Sequence, residues 1–156
     1  MKIKHINKTI ANCWLILLLY SGLSLPALAG NVTLKNKQLV SEFYQKFFVE
    51  RDLSNAPNQY LSENYIQHNP YLASGRTPLV DFFQEYFKKF PLLSVDVKRV
   101  IADGDLVVVH SHWQKSKDEN GSAVMDIFRI QDGTIVEHWD VVQAVTMSKF
   151  NTNGIF

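Results

Sequence analysis

The stretch Ser122–Gln143, SAVMDIFRIQDGTIVEHWDVVQ, constrains the fold more than any other part of the chain. Val124 to Ile130 and Thr134 to Val142 are rich in β-formers, and Gln131-Asp132-Gly133 between them is turn-forming. Two strands joined by a tight turn are expected, and the length of the turn decides which side chains share a face. A two-residue Asp-Gly loop would pair Gln131 with Thr134 and put Asp126 beside Trp139, with His138 and Asp140 on the opposite face. A three-residue loop, a type I turn with Gly133 in the left-handed position, would pair Ile130 with Thr134. Asp126 would then oppose His138, with Asp140 diagonal to it. The side-chain period of two makes this choice move the whole set. The three-residue form is the expectation. It gathers Val124, Phe128, Ile130, Val136 and Val142 as an apolar wall around Asp126, His138 and Asp140. It also leaves Arg129 and Glu137 to pair on the other face.

The run D-I-F-R-I-Q-D-G-T-I-V-E-H-W-D, Asp126 to Asp140, resembles the closing hairpin of SnoaL-like polyketide cyclases, within the nuclear transport factor 2-like superfamily. In those cyclases an aspartate on the last strand, two residues after a histidine, is the general acid/base. The matching position is Asp140, after His138. The cyclases carry a pocket histidine where this chain has Asp126. As a pattern of elements the resemblance extends over roughly residues 33–148, and the hairpin is its specific part.

Upstream, Val32 to Arg51 has Leu39, Val40, Phe43, Phe47 and, as a further member, Tyr44 at helical spacing, a stripe that reads as core. Asp52 to Ser62 suggests a short second helix interrupted near Pro57. Thr77-Pro78 starts a third, with Leu79, Phe82, Phe83, Tyr86, Phe87 and Phe90 as an aromatic stripe that Pro91 ends. From Leu93 the pattern turns to strands: Val95 to Ala102, then Leu106 to Trp113, then the hairpin. Helices followed by antiparallel strands give an α+β layout. The resemblance implies a cone-shaped, strongly curved antiparallel (mixed) sheet, nuclear transport factor 2-like or cystatin-like, with about three helices packed on one side. Asn151 to Phe156 reads as a loose tail.

Residues 1–29 read as a signal peptide. Lys2, Lys4 and Lys8 precede an apolar run, Cys13 to Tyr20; Pro26 breaks it, and Ala27-Leu28-Ala29 gives a small-x-small cleavage pattern before Gly30. The run is short for a bilayer span, so an exported, periplasmic or secreted domain over residues 30–156 is expected, with no membrane in the mature form. The 16 Lys and Arg less those three leave 13 against 15 acidic residues, a net charge of −2 in place of +1. No basic stripe points to nucleic acid. Cys13 is the only cysteine, so the domain holds no disulfide and no thiol nucleophile.

Burial and a neighbouring carboxylate both favour the protonated form of a carboxyl, which suits it to take and return a proton beside a carbonyl. Asp140, Asp126 and His138 are therefore the candidate catalytic residues, His138 holding one acid ionised or relaying its proton. Phe83, Tyr86 and Phe128 are candidates for the cavity wall, and His68, at the start of a loop set by Pro70, for its mouth. His110 and His112 alternate with Ser111 and share a face. As cavity residues they would be hydrogen-bonders, and with His138 and Asp126 they could be imagined around a metal, although neither a metal nor a cofactor is expected. If Asn120-Gly121 forms a two-residue turn, Ser111 and Trp113 face the cavity instead. Trp139, with Met125, Ile127 and Val141, would lie on a sheet face without helices, which suggests a homodimer through the sheets.

Two functions fit these residues. One is a cofactor-independent enzyme for aldol-type cyclisation, isomerisation or dehydration of an apolar carbonyl compound. The other is a small-molecule-binding domain without catalysis. No phosphate loop, G-x-S-x-G elbow or Cys-His pair points elsewhere.

Overall fold

The computed structural model describes residues 25–156, with side chains from Gly30 onward. The expected leader thus lies outside the described residues except for its last five, which open the first helix. Among the described residues no helix is long and apolar enough to cross a membrane.

Helix α1, Leu25–Tyr44, runs into a single π-helical turn at Gln45–Val49. The widened turn lets the neighbours Phe47 and Phe48 both be buried. Phe47 packs on Phe43 with centroids 5.2 Å apart, and Phe48 reaches Phe83 at 5.1 Å and Trp113 at 5.2 Å. Arg51 then reverses the chain at φ 59. Its guanidinium donates to the carbonyls of Pro91, at 3.1 Å, and Leu93, at 2.8 Å. The short helix α2, Ala56–Tyr60, ends two residues before the expected limit at Ser62. The next seven residues, Leu61–Gln67, are strand β1. Helix α3, Arg76–Lys89, buries Leu79, Phe83 and Phe87 from the aromatic stripe.

Strands β2 (Ser94–Asp103), β3 (Leu106–Gln114), β4 (Ser122–Gln131) and β5 (Thr134–Ala144) complete a five-stranded sheet in the order β1-β5-β4-β3-β2. The sheet is mixed, because β1 runs parallel to β5 while the other pairs are antiparallel. It curls without closing, and three helices complete the α+β architecture. The helices cover one concave face, where Val40, Phe43 and Phe47 meet Val107, Val109, Phe128 and Ile135.

The central hairpin corrects the expected turn. Gln131 pairs with Thr134 and Ile130 with Ile135, so the loop is the two-residue Asp132-Gly133. Both residues have positive φ, 50 and 73, as a type I′ turn requires; its twist matches that of the flanking strands. This register alone would send His138 and Asp140 away from Asp126. It lasts only two pairs. Val136 is left over on β5, Arg129 pairs with Glu137, and the shifted register continues to Phe128–His138 and Asp126–Asp140. The bulge sits in the strand, one step beyond the turn that was expected to contain it, and it restores the parity. Asp126, His138 and Asp140 share the concave face, but Asp126 opposes Asp140 and His138 is the diagonal neighbour. Ile135, fully buried, takes the wall place expected of Val136, which is half-buried. Arg129 and Glu137 pair on the other face, Nε to Oε2 at 2.9 Å.

Asn120-Gly121, weighed above as a two-residue turn, does not form one. The chain from Lys115 to Gly121 loops between β3 and β4, and Gly121 lies at φ 76. A β-carbon there would collide with the Trp113 carbonyl oxygen, whereas one at Gly133 would meet nothing within 4 Å. Gly133→Ala should therefore cost only the left-handed strain, on the order of 1 kcal/mol. Gly121→Ala should cost clearly more, because backbone must move as well. Urea unfolding of the two variants checks the order; equal losses would contradict it.

Candidate functional site

A cavity of about 310 Å³ opens between α3, the end of β1 and the concave face of the sheet. Phe48, Phe82, Phe83, Tyr86, Trp113 and Phe128 wall it, and Gln67, Asn69, Asp126, His138 and Asp140 bring polar atoms to one end. Side-chain N or O atoms of Asp126, His138 and Asp140, one from each, lie within 4.8 Å of one another.

The hydrogen bonds fix where the protons sit. Gln67 Oε1 accepts from the backbone N–H of Asn69 at 2.9 Å, and a backbone N–H can only donate, so the Gln67 amide has one orientation. The same oxygen lies 2.9 Å from His138 Nδ1, which must therefore carry a hydrogen. His138 Nε2 faces Asp126 Oδ1 at 3.0 Å. With Nδ1 already protonated, that contact needs one further proton, on the imidazole or on the carboxyl. The pair Asp126–His138 thus shares one proton and is neutral overall.

Asp126 is held at its other oxygen too. Tyr44, a residue 1% exposed, donates its hydroxyl hydrogen to Oδ2 at 2.9 Å, and the same hydroxyl lies 2.7 Å from Ser111 Oγ. The Trp113 indole N–H reaches both hydroxyls, at 3.0 and 2.9 Å. Burial and then the charge of Asp126 push Tyr44 well above the usual tyrosine value, against the opposing effect of the Ser111 and Trp113 hydrogen bonds. Both oxygens of Asp126 are therefore occupied by protein.

Asp140 differs. Asn69 Nδ2 donates to its Oδ2 at 2.6 Å, and Asn69 is itself oriented by the Tyr71 N–H on its Oδ1 at 2.9 Å. No described group bonds the other oxygen of Asp140, which is half-buried at the cavity surface. It is the one carboxylate of the cluster with an oxygen free to meet a ligand.

Phe83, Tyr86 and Phe128 line this cavity, as do Asp126, His138 and Asp140. The candidate histidines His68, His110 and His112 do not. His68 lies on the outer face, stacked on Trp139 at 4.7 Å and 2.8 Å from Glu137 Oε1. Its chain neighbour Asn69 enters the cavity in its place. His110 and His112 also point outward, because Ser111 and Trp113 on β3 face in. Arg99 Nη1 donates to His110 Nδ1 at 3.0 Å, and His112 Nε2 donates to the Asn120 carbonyl at 2.7 Å. The four residues imagined around a metal are thus split between the two faces of the sheet. Phe156, at the end of the expected loose tail, rests on His112 at 4.6 Å.

Sequence reasoning missed Tyr44, Tyr65, Gln67 and Asn69 as members of the site, and named Ser111 and Trp113 only as the alternative to His110 and His112. The first was counted as helix core. Tyr65, Gln67 and Asn69 have the period of two that would have placed them on one face, had Tyr65-Ile66-Gln67-His68-Asn69 been read as a strand.

The family described as the SnoaL-like domain matches residues 40–138. No curated protein matches the chain. Among solved structures, a SnoaL-like protein of unknown function from Burkholderia thailandensis is 16% identical with a TM-score of 0.62, covering 72% of this chain and 98% of that one. A protein provisionally named a SnoaL-like polyketide cyclase, from Jannaschia, is 19% identical with a TM-score of 0.61, covering 71% and 87%. One provisionally named a ketosteroid isomerase, from Kribbella flavida, is 21% identical with a TM-score of 0.61, covering 74% and 83%. At these identities the likeness shows the fold.

Tyr44→Phe keeps the ring but removes the hydroxyl that joins Asp126, Ser111 and Trp113. It should destabilise the chain by about 1–3 kcal/mol, the cost of buried polar groups left without a partner. The alkaline limb of stability should change as well. Above about pH 10 the unfolded tyrosine ionises while the folded one keeps its proton, so stability falls as pH rises. Part of that slope should be missing from Tyr44→Phe, as urea titrations at pH 8 and above would reveal.

Proposed function

We propose that this chain, which belongs to the SnoaL-like domain family, is a small enzyme that moves a proton on an apolar carbonyl compound, with Asp140 as the acid/base. One observation carries this reading. Asp140 presents an oxygen to an aromatic cavity while Asn69 holds the other, and the adjacent Asp126–His138 pair is neutral. A carboxylate placed so can take a proton from a carbon beside a carbonyl and return it elsewhere, as cyclisation, isomerisation and dehydration all require. Asp126, with both oxygens engaged, is a positioning group, and His138 holds its proton. The reaction needs no electron transfer, because the proton moves between carbon and carboxylate. The chemistry in the names of the solved neighbours agrees with this reaction class.

The outer face supports a second copy as partner. Val141 is 64% and Met125 37% exposed there, beside the half-buried Ile127 and Trp139. A homodimer through this face would cover them. Sedimentation equilibrium should give a dimer mass, and Val141→Glu should shift it to the monomer; a wild-type monomer at high micromolar concentration sinks the dimer.

Asp140→Asn is nearly isosteric and can still accept the Asn69 hydrogen bond. Once a carbonyl substrate is identified by thermal shift and turnover, the variant should keep its melting temperature and lose about 10²–10⁴ in kcat. Turnover at the wild-type rate would remove Asp140 from the mechanism. Compounds that bind tightly without turnover by the wild type would make the domain a binding module.

A further inference from the structure

The Tyr65 hydroxyl is a donor group in the cavity that makes no donated hydrogen bond among the described residues. Tyr65 is 1% exposed, lines the cavity, and stacks its ring over His138 with centroids 6.3 Å apart. Gln67 Nε2 lies 3.3 Å from the Tyr65 hydroxyl. The orientation of the Gln67 amide is fixed by Asn69 and His138, so Nε2 is the donor and the Tyr65 oxygen the acceptor. The hydroxyl's own hydrogen then has no acceptor among the described residues. The other donor groups at this end each have a protein acceptor: His138 Nδ1 has Gln67, its Nε2 shares a proton with Asp126, Tyr44 has Asp126, Trp113 has Tyr44 and Ser111, and one N–H of the Gln67 and Asn69 amides has Tyr65 and Asp140 respectively.

We infer that Tyr65 is a catalytic residue, donating its hydroxyl hydrogen to the substrate's carbonyl oxygen while Asp140 takes the proton from the adjacent carbon. This rests on the reading of Asp140 as the acid/base. In the step, the C–H electron pair becomes the carbon–carbon π bond, the carbonyl π pair moves onto oxygen, and the proton goes to the Asp140 carboxylate. Negative charge thus grows on the oxygen that the Tyr65 hydroxyl meets, where a preorganised donor is most effective. The hydrogen bond from Gln67 polarises the hydroxyl further and holds it in place. Burial, followed by the charges of Asp126 and Asp140, keeps Tyr65 well above the usual tyrosine value, so the donor is present at neutral pH.

The test reads the carbonyl directly. The full domain is saturated with ¹³C-carbonyl 2-acetylnaphthalene, an aromatic ketone suited to the Phe48, Phe83 and Trp113 walls, and binding is verified by thermal shift. The infrared carbonyl stretch should lie lower than in an alkane. Tyr65→Phe should abolish the lowering, and Asp140→Asn should retain it. With a turned-over ketone, Tyr65→Phe should lower kcat about 10²–10³-fold with KM little changed, the loss expected for one oxyanion donor. An unlowered stretch in the wild type overturns the assignment without any variant, and so does a lowering that survives in Tyr65→Phe. If Asp140→Asn abolishes turnover while Tyr65→Phe leaves stretch and kcat unchanged, the Asp140 reading stands and Tyr65 falls. A lowered stretch with no turnover of any ketone sinks catalysis by either residue. Failure of the ketone to bind overturns the aromatic cavity as a ketone site, and the Tyr65 assignment with it.

Discussion

One unpaired residue, Val136, sets the chemistry of this protein. A type I′ turn fixes the hairpin's twist, but its even loop would place Asp126 and the pair His138–Asp140 on opposite faces of the sheet. Leaving Val136 out of the ladder shifts every later pair by one. Two local preferences that conflict, a tight turn and a common acidic face, are both met because a bulge costs little where the strand bends anyway. The two-residue turn itself puts Ile135 opposite Ile130 in the core, and the slip then sets Arg129 against Glu137 outside. Without it the concave face would keep Asp126 and lose both of its partners.

Bringing two carboxylates together across a ladder is unfavourable unless one is neutralised. The protein does this with a hydrogen-bond chain that begins at a backbone N–H. Asn69 N–H orients Gln67, Gln67 fixes the proton on His138, and His138 shares the next proton with Asp126. Tyr44 closes the far side of Asp126, and Ser111 and Trp113 complete the buried group. Among the described residues no buried side-chain N or O atom lacks a partner. A polar network in an apolar core holds one geometry only when it is satisfied in this way. The two acids are thereby divided in role, one enclosed and the other left with an open oxygen.

Much of this fold was legible in the sequence, for reasons that also mark where legibility ended. Helix α3 follows a strong 3.6-residue stripe bounded by Pro78 and Pro91, and β4 carries clear turn signals on its C-terminal side. The acidic face was reached through a wrong turn and a correct parity, because a bulge in the loop and a bulge one step into the strand shift the faces alike. Strand β1 was missed because it buries only Leu61, Tyr65 and Gln67, with an irregular stretch in its pairing to β5. The faces of β3 were hidden by Leu106-Val107-Val108-Val109, an apolar run without alternation; Val107 and Val109 are buried and Leu106 and Val108 half-buried. His110 and His112 therefore looked like candidates for the cavity, and Ser111, the small residue between them, is the one inside.

The outward histidine at position 68 still bears on the site. His68 and Asn69 are adjacent in an extended segment, so their side chains point to opposite sides of the sheet. Outside, His68 is held flat on Trp139, with ring planes 5° apart, and meets Glu137 at 2.8 Å. Arg129 lies over the Trp139 ring at 5.5 Å and bridges Glu137 and Asp105. Hydrogen bonds from His68, then Arg129, hold Glu137 below the usual carboxylate range. Each exposed pair contributes little alone, but all of them restrain one short stretch of chain. The His68 N–H also donates to the His138 carbonyl at 3.0 Å, tying that stretch to β5. With His68 fixed on the outside, Asn69 can only point inward, onto Asp140. The direction of the cavity's open carboxylate is therefore set from both faces of the sheet, by a hydrogen bond within and an aromatic stack without.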